Sequence, residues 1–187
     1  SLNSESEKIE SICGKNNVVN FRQAESDEER DLLWRGRKEA IGAIGKVTPA
    51  FYTNDGVVPR SKLPEIMKAN FEIAESYGLK VGHVCHAGDG NIHPVILYNP
   101  DLPEEAEKAV KVSEKILEKC IDLGGALTGE HGIGTEKQNC FQFMFNEDDE
   151  VQMKCVHSIF NPDSLLNPKN IFPSGSKCGE TKIKKTL

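Results

Sequence analysis

Apolar residues in the first half of this chain recur with helical spacing in three segments. The first, residues 4–13, resembles the end of a helix. The second begins after the predicted N-cap Ser26, where acidic residues fill the first turn, and it runs to about Ala43. The third is predicted to begin at the N-cap Ser61 and to end at Gly78. The apolar residues expected on the inner face of the second helix are Leu32, Leu33 and Ala40.

Shorter runs of alternating, β-branched or aromatic residues predict strands between these helices. One is residues 18–22, and another is residues 50–58, in which an Asn-Asp-Gly sequence predicts a bend or a bulge. Residues 80–85 and 92–98 flank a turn rich in glycine, aspartate and asparagine. These two runs therefore predict a β-hairpin.

The second half of the chain follows the same alternation. Residues 103–123 have helical spacing and are followed by two glycines that stop the helix. A β-like segment at 126–128 leads into the loop sequence Gly-Glu-His-Gly-Ile-Gly, whose glycines tolerate unusual backbone angles. A last helix is predicted at 148–160, and residues 174–187 have the composition of a frayed tail.

The order of these elements predicts the fold class. Strand, helix, strand, strand, helix, strand is the ferredoxin-like α+β plan, in which an antiparallel sheet carries its helices on one face. We expect this plan, followed by a C-terminal helical segment, in a chain whose length suits one domain.

Composition and charge exclude several classes of function. The chain has 23 Lys and Arg and 29 Asp and Glu among 187 residues, and its net charge of −6 disfavours a nucleic-acid partner. Its apolar runs are too short to cross a bilayer, and its polar amino terminus lacks the pattern of a secretory signal. The six cysteines include no Cys-x-x-Cys pair, which argues against zinc knuckles and iron–sulfur ligands and favours reduced, mostly buried thiols.

Two histidines bracket the turn of the predicted hairpin. A hairpin can fold His86 and His93 toward one another, and Glu130 from the second glycine-rich loop would add a carboxylate. Two imidazoles and one carboxylate form an open ligand set that suits zinc, manganese or ferrous iron. His131 would then lie beside the metal as an acid or a base.

The residues alone leave other interpretations open. Gly-Asp-Gly-Asn is a common turn sequence, and histidines beside a turn are often surface or packed residues. The zinc-protease sequence His-Glu-x-x-His, the regular oxygen spacing of an EF-hand and the nucleotide-binding Gly-x-Gly-x-x-Gly are all absent. The second glycine-rich loop could equally be a helix-terminating turn or an anion-binding loop.

Five sequence motifs in a fixed order favour one of these interpretations. They are LWRGRKEA at 33–40, DGVVPRSKLPE at 55–65, HVCHAGDGNIHP at 83–94, GGALTGEHGIGTEK at 124–137 and LLNPKNIFP at 165–173. Together they resemble the C-terminal domain of the FAD-linked oxidases of the vanillyl-alcohol oxidase superfamily, nearest to its glycolate oxidase and D-lactate dehydrogenase members. The resemblance extends from about residue 26 to residue 173, and the set of motifs is far more specific than any of its parts.

The resemblance implies a role for each residue at the two glycine-rich loops. His86, His93 and Glu130 match the positions that hold a divalent metal, and His131 matches the active-site base. Two further histidines match no ligand position and are expected to be structural or exposed: His83 and His157.

The resemblance also implies substrate and cofactor contacts. Arg37 corresponds to the arginine that grips the substrate carboxylate, a task suited to a guanidinium group. Arg60 and Lys137 are further candidates for substrate or flavin-phosphate contacts, although a solvated surface charge is an equally good interpretation of both. Asn91 and Asn167 resemble positions that pack near the flavin.

The activity implied by the resemblance is the oxidation of a 2-hydroxyacid, glycolate first and D-lactate next, to a 2-oxoacid by hydride transfer to FAD. The family's FAD-binding domain has no counterpart in these residues, so we expect residues 1–173 to be an N-terminally truncated substrate domain that is inactive alone. Its exposed sheet edge predicts a homodimer. Electrons would pass to an iron–sulfur or other acceptor subunit, in the cytoplasm or at the inner face of the membrane.

Two rival functions remain at this stage. A stand-alone metal-binding or subunit-interaction module would use the fold without catalysis. A metal-dependent hydrolase would use the same two histidines and glutamate to activate water, and it would need no flavin.

Overall fold

The computed structural model describes residues 2–173 and divides the chain into two compact units, residues 1–47 and the part from Thr48 onward. The first unit contains two helices, α1 (Leu2–Lys15) and α2 (Asp27–Ile44). The predicted cap of α2 is confirmed, because the side chain of Ser26 accepts a hydrogen bond from the backbone N–H of Glu29.

Two predictions for the first unit are wrong. Residues 18–22 form an irregular connection rather than a strand, and the described part of this unit contains no other strand with which they could pair. The expected inner face of α2 is exposed, and no residue of this helix is buried. Helical spacing predicts which residues share a face, but it does not show that the face is covered.

The second unit contains an antiparallel sheet, two helices that pack against it and a further C-terminal helix. Its strands are β1 (Ala50–Thr53), β2 (Gly56–Val57), β3 (Lys80–His86) and β4 (Asn91–Tyr98). Its helices are α3 (Leu63–Ser76), α4 (Pro103–Asp122) and α5 (Glu147–Phe160), with 3-10 turns at Arg60–Lys62 and Gln138–Phe143. β4 lies at the centre and pairs with β3 on one side and with β1 and β2 on the other. The α+β class with a small antiparallel sheet is therefore confirmed.

The β3–β4 hairpin is the longest pairing of the sheet and agrees with its prediction. Its register runs from Lys80 opposite Leu97 to His86 opposite Asn91. Gly90 closes the turn at a φ of +76°, where a Cβ would lie 2.1 Å from the carbonyl oxygen of Val58. Only glycine can combine this backbone angle with such close contact.

The predicted bend in residues 50–58 is also confirmed, since Asn54 and Asp55 separate β1 from β2. Residues 126–128 contribute a single bridge, between Ala126 and Val57, rather than a strand. Ser61 is not a cap, because it lies inside a 3-10 turn and α3 begins after Lys62 without a side-chain hydrogen bond. The side chain of this serine therefore satisfies none of the free N–H groups of α3.

The core lies between the sheet and the helices α3 and α4. The amphipathic helices place their apolar stripes against the face of β4 that carries Ile92 and Ile96. The opposite face of β4 is also covered, because Val95 and His93 are buried. Fully buried members of the core include Val58, Ile66, Ile92, Ile96, Val112 and Ile116.

Three further expectations concern the whole chain. Within residues 2–173, no helix combines the length and the apolar character needed to cross a membrane. The described cysteines are free thiols, of which Cys120 and Cys140 are buried and Cys155 is exposed. The predicted tail at 174–187 lies outside the described residues, and the domain boundary at 173 stays a prediction.

Candidate metal centre

The β3–β4 hairpin brings two imidazoles to the same face of the sheet. His93 is paired with Val84, two residues before His86, so the pleat directs both imidazoles to one side. That side lies away from α3 and α4, toward which Ile92 and Ile96 point. The two rings meet edge to face with their centroids 5.4 Å apart.

Glu130 completes a cluster of possible metal ligands. Its Oε1 lies 3.0 Å from His93 Nε2 and 3.7 Å from His86 Nε2, and one ligand atom from each residue lies within 4.8 Å of the others. Ligands bonded to one small ion at about 2.1 Å are about 3 to 3.5 Å apart in a tetrahedral site. The donor set of His86, His93 and Glu130 therefore suits a divalent metal, and the 3.0 Å separation matches this spacing, whereas the 3.7 Å separation would have to shorten when an ion binds.

His131 lies next to this cluster. Its ring stacks on that of His93, with the centroids 5.2 Å apart, and its Nε2 is 3.7 Å from Glu130 Oε1. His131 also lines an open cavity of about 300 Å³. The other residues that line this cavity are Thr53, Asn54, the segment from Gly132 to Lys137, and Asn170.

A buried carboxylate holds the loop that carries Glu130 and His131. Asp55 has no exposed surface, and its Oδ2 accepts hydrogen bonds from Thr128 Oγ1 and from the backbone N–H groups of Gly129, Glu130 and His131. Burial by itself raises the pKa of Asp55, but these hydrogen bonds outweigh it and hold the pKa below its usual range. Asp55 is therefore a carboxylate.

Lys137 is the counter-ion of this carboxylate. Its Nζ lies 3.3 Å from Asp55 Oδ2 and donates to the carbonyl oxygens of Asp55 and Leu127 at 2.6 and 2.9 Å. The side chain is 3% exposed, so the interpretation as a solvated surface charge is wrong. Burial lowers the pKa of Lys137, and the charge of Asp55 opposes that shift. A substrate anion would have to compete with these internal acceptors.

The remaining predicted contacts are placed as follows. Arg60 is exposed in the 3-10 turn before α3, and Arg37 is exposed on α2 in the first unit. Asn91 is buried at the start of β4, and its Oδ1 has no hydrogen-bond partner within the described chain. Asn167 is exposed in a turn, and its carbonyl oxygen accepts from the backbone N–H of Asn170.

Three residues of this site are not predicted by the sequence motifs. Asp55 and Thr128 lie inside motifs that were recognised, but neither had been assigned a contact. Asn170, rather than Asn167, lines the cavity beside His131, and its buried Oδ1 has no partner in the part of the chain that is described. The Asn-Pro-Lys-Asn sequence was the available signal, but it does not distinguish between its two asparagines.

Comparison with known families agrees with this architecture. The sequence model described as "FAD linked oxidases, C-terminal domain" matches residues 1–171. The chain belongs to this family. The resemblance found in the sequence motifs is thereby confirmed.

Curated members of the family extend well beyond the matched part. The glycolate oxidase subunit GlcD of Escherichia coli (strain K12) is 40% identical over 174 residues, which are 93% of this chain and 35% of the relative. The protein of the same name from Bacillus subtilis (strain 168) is 34% identical over 91% of this chain and 36% of its own length. The mitochondrial D-lactate dehydrogenase (cytochrome) of Arabidopsis thaliana is 29% identical over 88% of this chain and 30% of its own length. This member of the FAD-linked oxidase family thus spans about a third of the length of these relatives.

Proposed function

We propose that this chain forms the substrate- and metal-binding part of a flavin-dependent 2-hydroxyacid dehydrogenase. The observation that carries the proposal is the convergence of His86, His93 and Glu130 beside His131, which itself lines a cavity. Membership of the FAD-linked oxidase family, together with the names of its glycolate and D-lactate relatives, supports the substrate class. Because the chain spans about a third of those relatives, FAD is assigned mainly to protein outside these residues.

Each residue of the site has its own role in the proposed reaction. A zinc, manganese or ferrous ion held by His86, His93 and Glu130 would act as a Lewis acid toward the substrate hydroxyl. His131 would take the hydroxyl proton, and FAD bound by protein outside these residues would supply the acceptor for the α-hydrogen and its electron pair, so that the product would be a 2-oxoacid. Arg37 remains the proposed partner of the substrate carboxylate, with Arg60 as a further candidate.

The cavity beside His131 supports a small substrate. Its volume of about 300 Å³ lies at the lower end of the range for ligand sites. Asn91 and Asn167 remain proposed flavin neighbours, and an acceptor subunit or a quinone would take the electrons. The proposed location is the cytoplasm or the inner face of the membrane, through partner subunits.

Metal content and affinity of the purified chain test the site. We expect near-stoichiometric zinc, manganese or iron by elemental analysis, and calorimetric binding that is lost in the His86→Ala, His93→Ala variant. His157→Ala is the matched control, because it removes an exposed imidazole of α5 and should leave binding unchanged. A double variant that stays folded and binds as tightly as the wild type would contradict the ligand assignment.

Turnover tests the assignment of the flavin. The purified chain should not oxidise glycolate or D-lactate with an artificial electron acceptor, and activity should appear when a FAD-binding part of a relative is added. Turnover without any added protein would disprove this division of roles. Ester or amide hydrolysis by the metal-loaded chain would instead support the hydrolase.

A further inference from the structure

The glycine-rich loop that carries Glu130 and His131 is wrapped around one buried side chain. Thr128 Oγ1 donates to Asp55 Oδ2 at 2.5 Å, and the backbone N–H groups of Gly129, Glu130 and His131 donate at 2.9, 3.1 and 2.9 Å. Three consecutive N–H groups can converge on one oxygen only if the backbone curves around it. The direction in which each side chain leaves this loop is therefore set by the carboxylate.

Side-chain packing holds Glu130 and His131 only weakly. Their side chains are 50% and 52% exposed, whereas His93 beside them is buried. A half-exposed side chain has few neighbours to restrict it, so its position depends on the backbone that carries it. That backbone is hydrogen-bonded to Asp55, which is fully buried in the short break between β1 and β2.

We propose that Asp55 is the positioning residue of the metal centre. It holds the loop in the conformation that brings Glu130 close to His86 and His93, and the same conformation places His131 beside this cluster. The inference rests on the proposed function, because it assumes that these side chains bind a metal. Lys137 is assigned the role of counter-ion to Asp55 rather than that of a substrate contact.

Thr128 takes part in the same set of hydrogen bonds. Its hydroxyl donates to Asp55 Oδ2 and accepts from the backbone N–H of Gly132 at 2.8 Å, so it joins both ends of the loop. Serine can make both hydrogen bonds and valine can make neither, although valine has nearly the shape of threonine. Thr128→Ser and Thr128→Val therefore form a matched pair that alters the loop without removing the buried charge.

The first measurement requires no metal. Amide hydrogen exchange, followed by NMR on the 187-residue chain, reports on the hydrogen bonds of residues 129–131 directly. We expect these amides to be protected in the wild type and to exchange about tenfold faster or more in Asp55→Asn, which replaces an acceptor oxygen by a donor. Thr128→Val should show the same change, and Thr128→Ser should resemble the wild type.

The second measurement uses cobalt as a spectroscopic probe of the metal centre. We expect Asp55→Asn and Thr128→Val to bind Co²⁺ about tenfold to a hundredfold more weakly than the wild type, the usual effect of losing a group that orients a ligand. Their visible absorption bands should also change, because a displaced Glu130 alters the coordination. Thr128→Ser should restore both the affinity and the spectrum.

The possible outcomes separate this inference from the proposed function. If both variants bind Co²⁺ with the affinity and spectrum of the wild type, the positioning role of Asp55 is overturned while the metal site stands. The same holds if their melting temperature falls and the folded protein binds cobalt normally. If the wild type binds no Co²⁺ while amides 129–131 are protected, the proposed metal site fails, and the positioning role fails with it. If Asp55→Asn does not fold, the pair at Thr128 decides.

Discussion

At the scale of single residues, His83 shows that the β3–β4 hairpin carries histidines on both faces of the sheet. Its Nε2 lies 3.0 Å from Asn70 Nδ2, and its ring meets that of Phe71 edge-on with the centroids 5.0 Å apart. Both partners belong to α3, so this imidazole faces the helices, whereas His86 lies on the opposite face of the sheet, with the candidate metal ligands. The expectation that His83 is structural agrees with these contacts.

His83 should make stability depend on pH. Burial lowers the pKa of its imidazole, so the unfolded chain binds this proton more readily than the folded chain. Stability from this group is therefore present above the unfolded pKa of about 6.5 and declines as the pH falls through it, by at most about 1.4 kcal/mol per pH unit. Urea unfolding between pH 7.5 and 5 should show a smaller decline in His83→Gln than in the wild type. An equal decline would contradict this assignment, and His157→Gln controls for the loss of an imidazole.

The turn of the same hairpin offers a second test. Gly90→Ala should lower the free energy of unfolding by about 2 kcal/mol or more, because alanine disfavours a φ of +76° and its Cβ would collide with the carbonyl oxygen of Val58. Gly88→Ala is the control in the same turn, since a Cβ there meets no atom within 4 Å. Chemical denaturation of both variants checks this prediction, and equal losses of stability would show that the close contact is not responsible.

The candidate ligands could be predicted from the sequence, but the residues that support them could not. His86 and His93 lie on either side of a recognisable turn, so hairpin geometry alone predicts that they approach each other. The role of Asp55 depends on N–H groups more than 70 residues away, and main-chain donors have no sequence signature. The burial of Lys137 could not be predicted for a related reason, since a lysine is assumed to be solvated until its buried partner is known.

At the scale of elements, the pair of Asp55 and Lys137 joins the break between β1 and β2 to the start of the 3-10 turn at Gln138–Phe143. Lys137→Met should cost about 3 kcal/mol of stability, because it leaves a buried carboxylate without its counter-ion. Combined with Asp55→Asn, the loss should be smaller than the sum of the two single losses. Lys62→Met, which removes an exposed partner of Glu65, is the control and should cost little. Additive losses in urea unfolding would show that the two charges are not coupled.

Elements were predicted well where the local pattern and the tertiary partner agree. The hairpin and the helices α3 and α4 each have a strong period and a clear stop, and they differ from their predictions only at the ends. Residues 18–22 had a β-like composition without a strand to pair with, and a strand exists only with its neighbour. Helix α2 shows the same limit of sequence prediction, because its helical spacing predicted a buried face but no residue of the helix is buried.

At the scale of the whole molecule, the second unit exposes apolar side chains at its C-terminal helix and the turn that follows. Asn161 forms two side-chain hydrogen bonds with the backbone of Leu166, which folds this turn back on itself. Four large residues in this short segment are each at least 60% exposed: Ile159, Phe160, Leu165 and Leu166. Large apolar side chains that are exposed close together in the chain often mark a surface that contacts another protein.

This surface predicts that the isolated chain associates with itself at high concentration. Burial of such side chains between two copies removes apolar area from water, which favours association. Sedimentation velocity over a range of concentrations should show reversible dimerisation, weakened in the Ile159→Gln, Phe160→Gln variant. Val19→Gln, which changes a fully exposed apolar residue of the first unit, should dimerise like the wild type. A chain that stays monomeric at the highest concentration, or dimers that persist unchanged in the double variant, would refute the role assigned to this surface.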